Sequence, residues 1–91
     1  MNTDPYHSLL NYLASCHDSA AIDELFRALL TDKEQFEIAN RIRIFDLLDQ
    51  RMTQREISEQ LGVGIATVSR GAKAMQNHDV SALLATHRKH A

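Results

Sequence analysis

Thr53-Gln-Arg-Glu-Ile-Ser-Glu-Gln-Leu-Gly-Val-Gly-Ile-Ala-Thr-Val-Ser-Arg70 is the stretch whose reading decides the fold. Thr53 and Glu56 have the Thr-x-x-Glu spacing of a capping box, in which each side chain satisfies a free amide of a first helical turn. A helix is therefore predicted to begin at Thr53. Ile57 and Leu61 recur four apart and share one face, while Gln54, Arg55, Ser58 and Glu59 fall on the others. Gly62 can take the left-handed conformation that ends a helix, and Gly64 lets a second helix start after a three-residue turn. In that second helix Ile65, Val68 and Ala72 lie on one face, leaving small or basic side chains over the rest. The pattern predicts a helix-turn-helix over about residues 53–75.

A helix enters the major groove of duplex DNA only if its leading side chains are short, and Ile65, Ala66, Thr67 and Ser69 meet that demand. Threonine hydroxyls and the methyl groups of Ala and Thr can read base edges and the thymine methyl. The competing reading is a helical hairpin used as core or as a protein contact, because capping boxes and glycine turns occur in many helical domains.

Charge separates along the chain. Residues 1–50 carry four basic residues against nine acids, net −5, whereas residues 51–91 carry six against three, net +3. The overall charge of −2 argues against a general nucleic-acid binder, but the positive half is the half with the helix-turn-helix. The acidic remainder repels phosphate, so nonspecific affinity is expected to be modest and strongly salt-dependent.

The 91 residues fit one domain near the lower limit of independent stability, where oligomerisation often supplies missing core. The single Cys excludes an internal disulfide framework, and neither a transmembrane run nor a secretory leader is visible, which predicts a cytoplasmic protein with no membrane partner. His7, Cys16 and His17 match no metal-ligand spacing, and the acids stand singly on helix faces, so no metal site and no catalytic constellation is expected.

The rest of the chain reads as helical, with one Pro and three Gly. Asp4 before Pro5 resembles an N-cap with proline at the first helical position, opening a helix to about Cys16 with Tyr6, Leu9, Leu10, Leu13 and Cys16 as its stripe. A second helix from about Ala20 to Leu30 is expected to bury Ile22, Leu25, Phe26 and Leu29. Thr31 and Glu34 repeat the capping-box spacing and open a third, to about Leu48, with Ile38, Ile42, Phe45 and Leu48 as core face. Residues 76–79 read as a break, Val80 to Thr86 as a short last helix with Val80, Leu83 and Leu84 buried, and His87 to Ala91 as a frayed, solvated tail.

Gly64-Ile-Ala-Thr-Val-Ser-Arg-Gly71, preceded by Met52-Thr-Gln-Arg-Glu-Ile57 and further upstream by Leu29-Leu-Thr31 and Arg41-Ile-Arg-Ile44, closely resembles the Trp repressor family. The resemblance is specific from about Leu30 to Gly71. It implies an all-α, six-helix chain forming an intertwined homodimer, a double-stranded DNA operator as partner, and L-tryptophan as corepressor ligand. Carried over by position, Arg41 and Arg70 resemble the arginines that sandwich the indole, and Arg70 also meets the ligand carboxylate. Planar guanidinium suits both tasks. Thr31 resembles the threonine at that carboxylate, the carbonyls of Ala28 and Leu30 resemble acceptors of the ligand ammonium, and Gly71 would let the ring lie against the backbone. Gln54, Arg55, Ile65, Ala66, Thr67 and Ser69 resemble DNA-facing positions.

Three departures bear on the site. The family's Ser-Asn-Ser after Arg-Gly is Ala72-Lys73-Ala74 here, so a hydroxyl for the ammonium is absent at Ala74. Losing one hydrogen bond to a charged group costs about 1.5–3 kcal/mol, which predicts weaker selection for the amino group. The stretch between Arg43 and Met52 is one residue shorter than the family spacing. Ser58 stands where a lysine is common, with Lys73 as a compensating phosphate contact. Alternative switches are another indole ligand or none, and a different class is a helical protein-interaction module.

Overall fold

The computed structural model describes residues 4–90, which form six helices and no strand. The described residues fall into two compact units, divided between Gln35 and Phe36.

The first unit contains α1 (Pro5–Ser15), α2 (Ser19–Leu29) and the start of α3 (Asp32–Asp49). Its boundaries are set by side-chain caps: Asp4 accepts from the Tyr6 amide and Asp18 from the Ala20 amide at 2.9 Å. The second capping box is complete, with the Glu34 amide donating to Thr31 Oγ1 at 3.1 Å and the Thr31 amide to Glu34 Oε1 at 2.9 Å. Neither α1 nor α2 holds a buried residue. Leu9, Leu13, Cys16, Ile22, Leu25 and Phe26 are half-buried as their periodicity predicts, but Tyr6, Leu10 and Leu29 are exposed. Two eleven-residue helices offer too little surface to enclose every apolar side chain of such broad stripes.

The second unit holds the rest of α3 with α4 (Gln54–Leu61), α5 (Ile65–Asn77) and α6 (Ser81–His90). Its core is Ile44 of α3, Ile57 of α4 and Val68 of α5, all fully buried, wrapped by Leu47, Leu48, Met52, Leu61 and Val63. These are the inward positions of the helix-turn-helix. On α3 the outcome differs from expectation: Phe45 is buried, but Ile38 is 50% exposed and Ile44 takes the central place. This helix is apolar on two sides, and periodicity does not rank them.

Turn chemistry fixes the connections. After α3 the Arg51 amide donates to the Leu48 carbonyl and the Met52 amide to that of Leu47, a Schellman closure whose left-handed position is Arg51 at φ 70° rather than glycine. After α4 the left-handed residue is Gly62, φ 67°. There the Ser58 carbonyl accepts from both the Gly62 and Val63 amides, while Ser58 Oγ donates to the Val63 carbonyl.

The last helix overturns one expectation. Helix α6 begins at Ser81, capped by Asp79 at 2.9 Å, and continues through His90 instead of fraying at His87. Arg88 explains the extension. Its Nε donates to Asp46 Oδ1 at 2.7 Å and its Nη2 to Asp49 Oδ2 at 2.8 Å, so one guanidinium grips two carboxylates of α3. Leu84 is buried and Val80 half-buried as expected, whereas Leu83 is 42% exposed. Ala91 lies outside the described residues.

Candidate ligand pocket and nucleic-acid interface

Helix α5 is positioned by α4. Thr53 Oγ1 accepts from the Glu56 amide at 3.2 Å and the Thr53 amide donates to Glu56 Oε1 at 3.1 Å, which starts α4 at Gln54. The Thr53 hydroxyl also donates to Glu56 Oε1 at 2.8 Å, and this bond, followed by that from the Thr53 amide, holds the Glu56 carboxyl below its ordinary range. Ile57 and Val68 then lock α4 to α5 through the core, and the opposite surface of both helices is left outward.

That surface carries Gln54, Arg55, Ile65, Ala66, Ser69 and Lys73, all exposed. Ile65, which sequence periodicity also placed with the inward face, is 51% exposed and belongs to the outer one. Ser69 Oγ donates to Gln54 Oε1 at 2.7 Å, tying the two helices together on their outer side. Arg55 pairs with Glu59 at 3.6 Å, both side chains largely exposed, an arrangement that holds the arginine weakly. Ser58 is turned into the α4–α5 turn by its bond to the Val63 carbonyl.

Thr67 is half-buried and lines a cavity of about 230 Å³ behind the outer face, together with Arg70 of α5 and Glu37, Asn40, Arg41 and Ile44 of α3. The two arginines that sequence reasoning paired therefore share one cavity. Neither forms an ion pair among the described residues, and Asp46, one candidate partner for Arg41, is taken by Arg88. Asn40 is buried, and its Oδ1 accepts from Arg43 Nη1 at 3.3 Å.

Gly71 is buried where α5 meets α3. A methyl group there would lie 2.7 Å from Ile44 Cγ2 and 3.6 Å from Arg41 Cδ, so close helix approach requires the absent side chain. Ala74, one turn beyond Arg70, is half-buried. Thr31, Leu30 and Ala28 belong to the first unit, where the Thr31 hydroxyl and amide are both engaged with Glu34. Sequence reasoning missed Glu37 and Asn40 as cavity residues. The available signal was the four-residue interval from Glu37 to Arg41, which places both on one side of α3.

Comparison with known proteins agrees with this architecture. The family model described as Trp repressor protein matches residues 4–87. A Trp operon repressor homolog of Aliivibrio fischeri is 31% identical over 74 residues, covering 80% of this chain and 68% of the relative. One from Vibrio parahaemolyticus is 33% identical over 73 residues, 79% of this chain and 71% of the relative. One from Xylella fastidiosa is 29% identical over 80 residues, 87% of each. No solved structure matches significantly. No helix among the described residues is long and apolar enough to cross a membrane. With six helices, a capped helix-turn-helix and a match over nearly its whole length, the chain belongs to the Trp repressor family, a family of DNA-binding regulators, and is a repressor of that family.

Proposed function

We propose that the chain is a cytoplasmic repressor, a homodimer of single-domain subunits, that binds operator DNA through α4 and α5 when L-tryptophan occupies the cavity between α3 and α5. The observation that carries this reading is the shared cavity of Arg41 and Arg70, directly behind Thr67 of the reading helix. Arg70 pairs with the ligand carboxylate, and the two guanidinium planes take the faces of the indole. The ligand thereby bridges α3 to α5 and sets the angle at which the outer face of α5 meets the groove. Gln54, Arg55, Ile65, Ala66, Thr67, Ser69 and Lys73 form the DNA-facing set, and Gly71 and Ala74 complete the ligand's surroundings on α5.

Exposed Tyr6, Leu10, Tyr12 and Leu29 support the dimer, since a 91-residue chain with so few enclosed apolar residues gains core by pairing. The chain contains no tryptophan, so indole emission excited beyond the tyrosine absorption comes from the ligand alone. Tryptophan titrated into wild-type protein should give a saturable spectral shift that Arg70→Ala abolishes while the helical circular dichroism is retained. An equal shift in both proteins would refute the pocket assignment.

A further inference from the structure

We propose that Arg51 is a phosphate contact, extending the DNA-facing surface from α4 into the connection that precedes it. This rests on the reading of α4 and α5 as the DNA-binding surface, and it adds a residue that the family resemblance does not assign.

Arg51 stands in the four-residue connection between α3 and α4 at φ 70°, the one non-glycine residue with positive φ among the described residues. A left-handed residue that carries a Cβ is strained, whereas Gly62 closes α4 in the same conformation without that strain. The side chain of Arg51 does nothing for the fold that would offset the strain. It is exposed, lies outside the core cluster and forms no ion pair among the described residues. A long cation kept at a strained position with no partner inside the chain points to a partner outside it.

The surrounding charges give the sign of that partner. Every acidic side chain from Asp46 onward is engaged: Asp46 and Asp49 with Arg88, Glu59 with Arg55, Glu56 with Thr53, and Asp79 with the Ser81 amide. Asp49, two residues from Arg51, is held by Arg88 Nη2 at 2.8 Å. The cations are in surplus, and Arg51 and Lys73 are both exposed without an ion pair among the described residues. A surface whose acids are matched and whose cations are not is complementary to a polyanion.

Its place in the chain makes that polyanion DNA backbone. Arg51 precedes Gln54 by three residues, so their Cα atoms lie at most about 11 Å apart even in extended chain. Gln54 is on the outer face, bound to Ser69 of α5 at 2.7 Å. The first helix of a helix-turn-helix crosses the phosphate backbone, and an arginine at its entry meets phosphate oxygens, which guanidinium binds bidentately. The strain and the contact therefore act with opposite signs: removing the side chain relaxes the protein and weakens its hold on DNA.

The test is the affinity of the full chain, with saturating tryptophan, for two duplexes of equal length over a range of salt concentrations. One duplex is selected from a random-sequence pool and the other is unrelated to it; the proteins are wild type, Arg51→Gly, Arg51→Gln and Arg51→Lys. Arg51→Gly and Arg51→Gln should weaken binding to both duplexes by the same factor, roughly three- to tenfold at about 0.1 M salt, and make the log-log salt slope less negative by about 0.9 for each arginine removed. Arg51→Lys should keep the wild-type slope, and Arg51→Gly should unfold at a higher urea concentration than wild type while binding DNA more weakly. Unchanged affinity and slope in Arg51→Gln, with wild type itself steeply salt-dependent, would overturn the phosphate contact and leave the DNA reading standing. A loss confined to the selected duplex would also overturn it, because a phosphate contact carries no sequence information. Binding of wild type to neither duplex would overturn both.

Discussion

Ser69 Oγ and Gln54 Oε1 lie 2.7 Å apart, one on each helix of the helix-turn-helix and both on its outer face. The hydroxyl proton of Ser69 is therefore committed to Gln54, and the Gln54 carboxamide is oriented with its amide hydrogens away from that bond. On the proposed DNA-facing surface the pair is therefore expected to act as a unit, not as two independent side chains. A double-mutant cycle with Gln54→Ala and Ser69→Ala should give non-additive losses in DNA affinity, coupled by about 0.5–1.5 kcal/mol. Additive losses would mean that the bond plays no part when DNA is bound.

Gly71 and Ile44 make the tightest approach between α3 and α5. A methyl group on Gly71 would sit 2.7 Å from Ile44 Cγ2, which cannot be relieved by a flexible side-chain end alone. Gly71→Ala should destabilise the protein by about 1–3 kcal/mol through overpacking. Gly64→Ala, where nothing lies within 4 Å and φ is −66°, serves as the control in the same denaturant titration and should cost much less.

Arg51 occupies a left-handed position, φ 70°, that favours glycine. Its carbonyl-side neighbours still complete the Schellman closure, so the strain is held by the hydrogen bonds from Arg51 to Leu48 and from Met52 to Leu47. Arg51→Gly should raise stability by about 0.5–1 kcal/mol, the relief of αL strain exceeding the added freedom of the unfolded chain. Thermal unfolding reads the difference directly.

The clasp of Arg88 on Asp46 and Asp49 joins α6 to α3. Hydrogen bonding from Arg88 holds the Asp46 carboxyl below its ordinary range, and Glu34, Glu56 and Asp79 are likewise held low by Thr31, Thr53 and Ser81 respectively. A carboxyl depressed in the folded state adds stability that is present above its unfolded value and is lost as pH falls through the folded one. The protein should therefore weaken on acidification through the carboxylate range. Arg88→Ala should lower stability at neutral pH, and its difference from wild type should shrink as the pH is lowered, measured by urea denaturation at a series of pH values.

Local chemistry made much of this fold legible. The capping boxes at Thr31 and Thr53, the Asp4-Pro5 start and the Gly62 stop are decided by residues within one helical turn of each other, and all four occur where their spacing places them. What escaped depends on partners distant in sequence. Arg88 holds the end of α6 in helix through carboxylates about forty residues away, a relation no local pattern contains. Ile38 and Ile44 are equally apolar, and the packing of Ile57, Val68 and Gly71 against α3 is what selects Ile44 for the core. At the site, the family resemblance brought Arg41 and Arg70 forward, whereas Glu37 and Asn40 emerge only when α3 and α5 are set side by side.

The central claim is that a ligand between Arg41 and Arg70 governs DNA binding by α5. The most direct measurement is the affinity of wild type and Arg70→Ala for a duplex selected from a random-sequence pool, with and without saturating tryptophan, over a range of salt concentrations. Wild type should bind more tightly with tryptophan, by about 5- to 150-fold, with a steep negative salt slope, and Arg70→Ala should show no response to the ligand. Equal affinity of wild type with and without tryptophan would contradict the account.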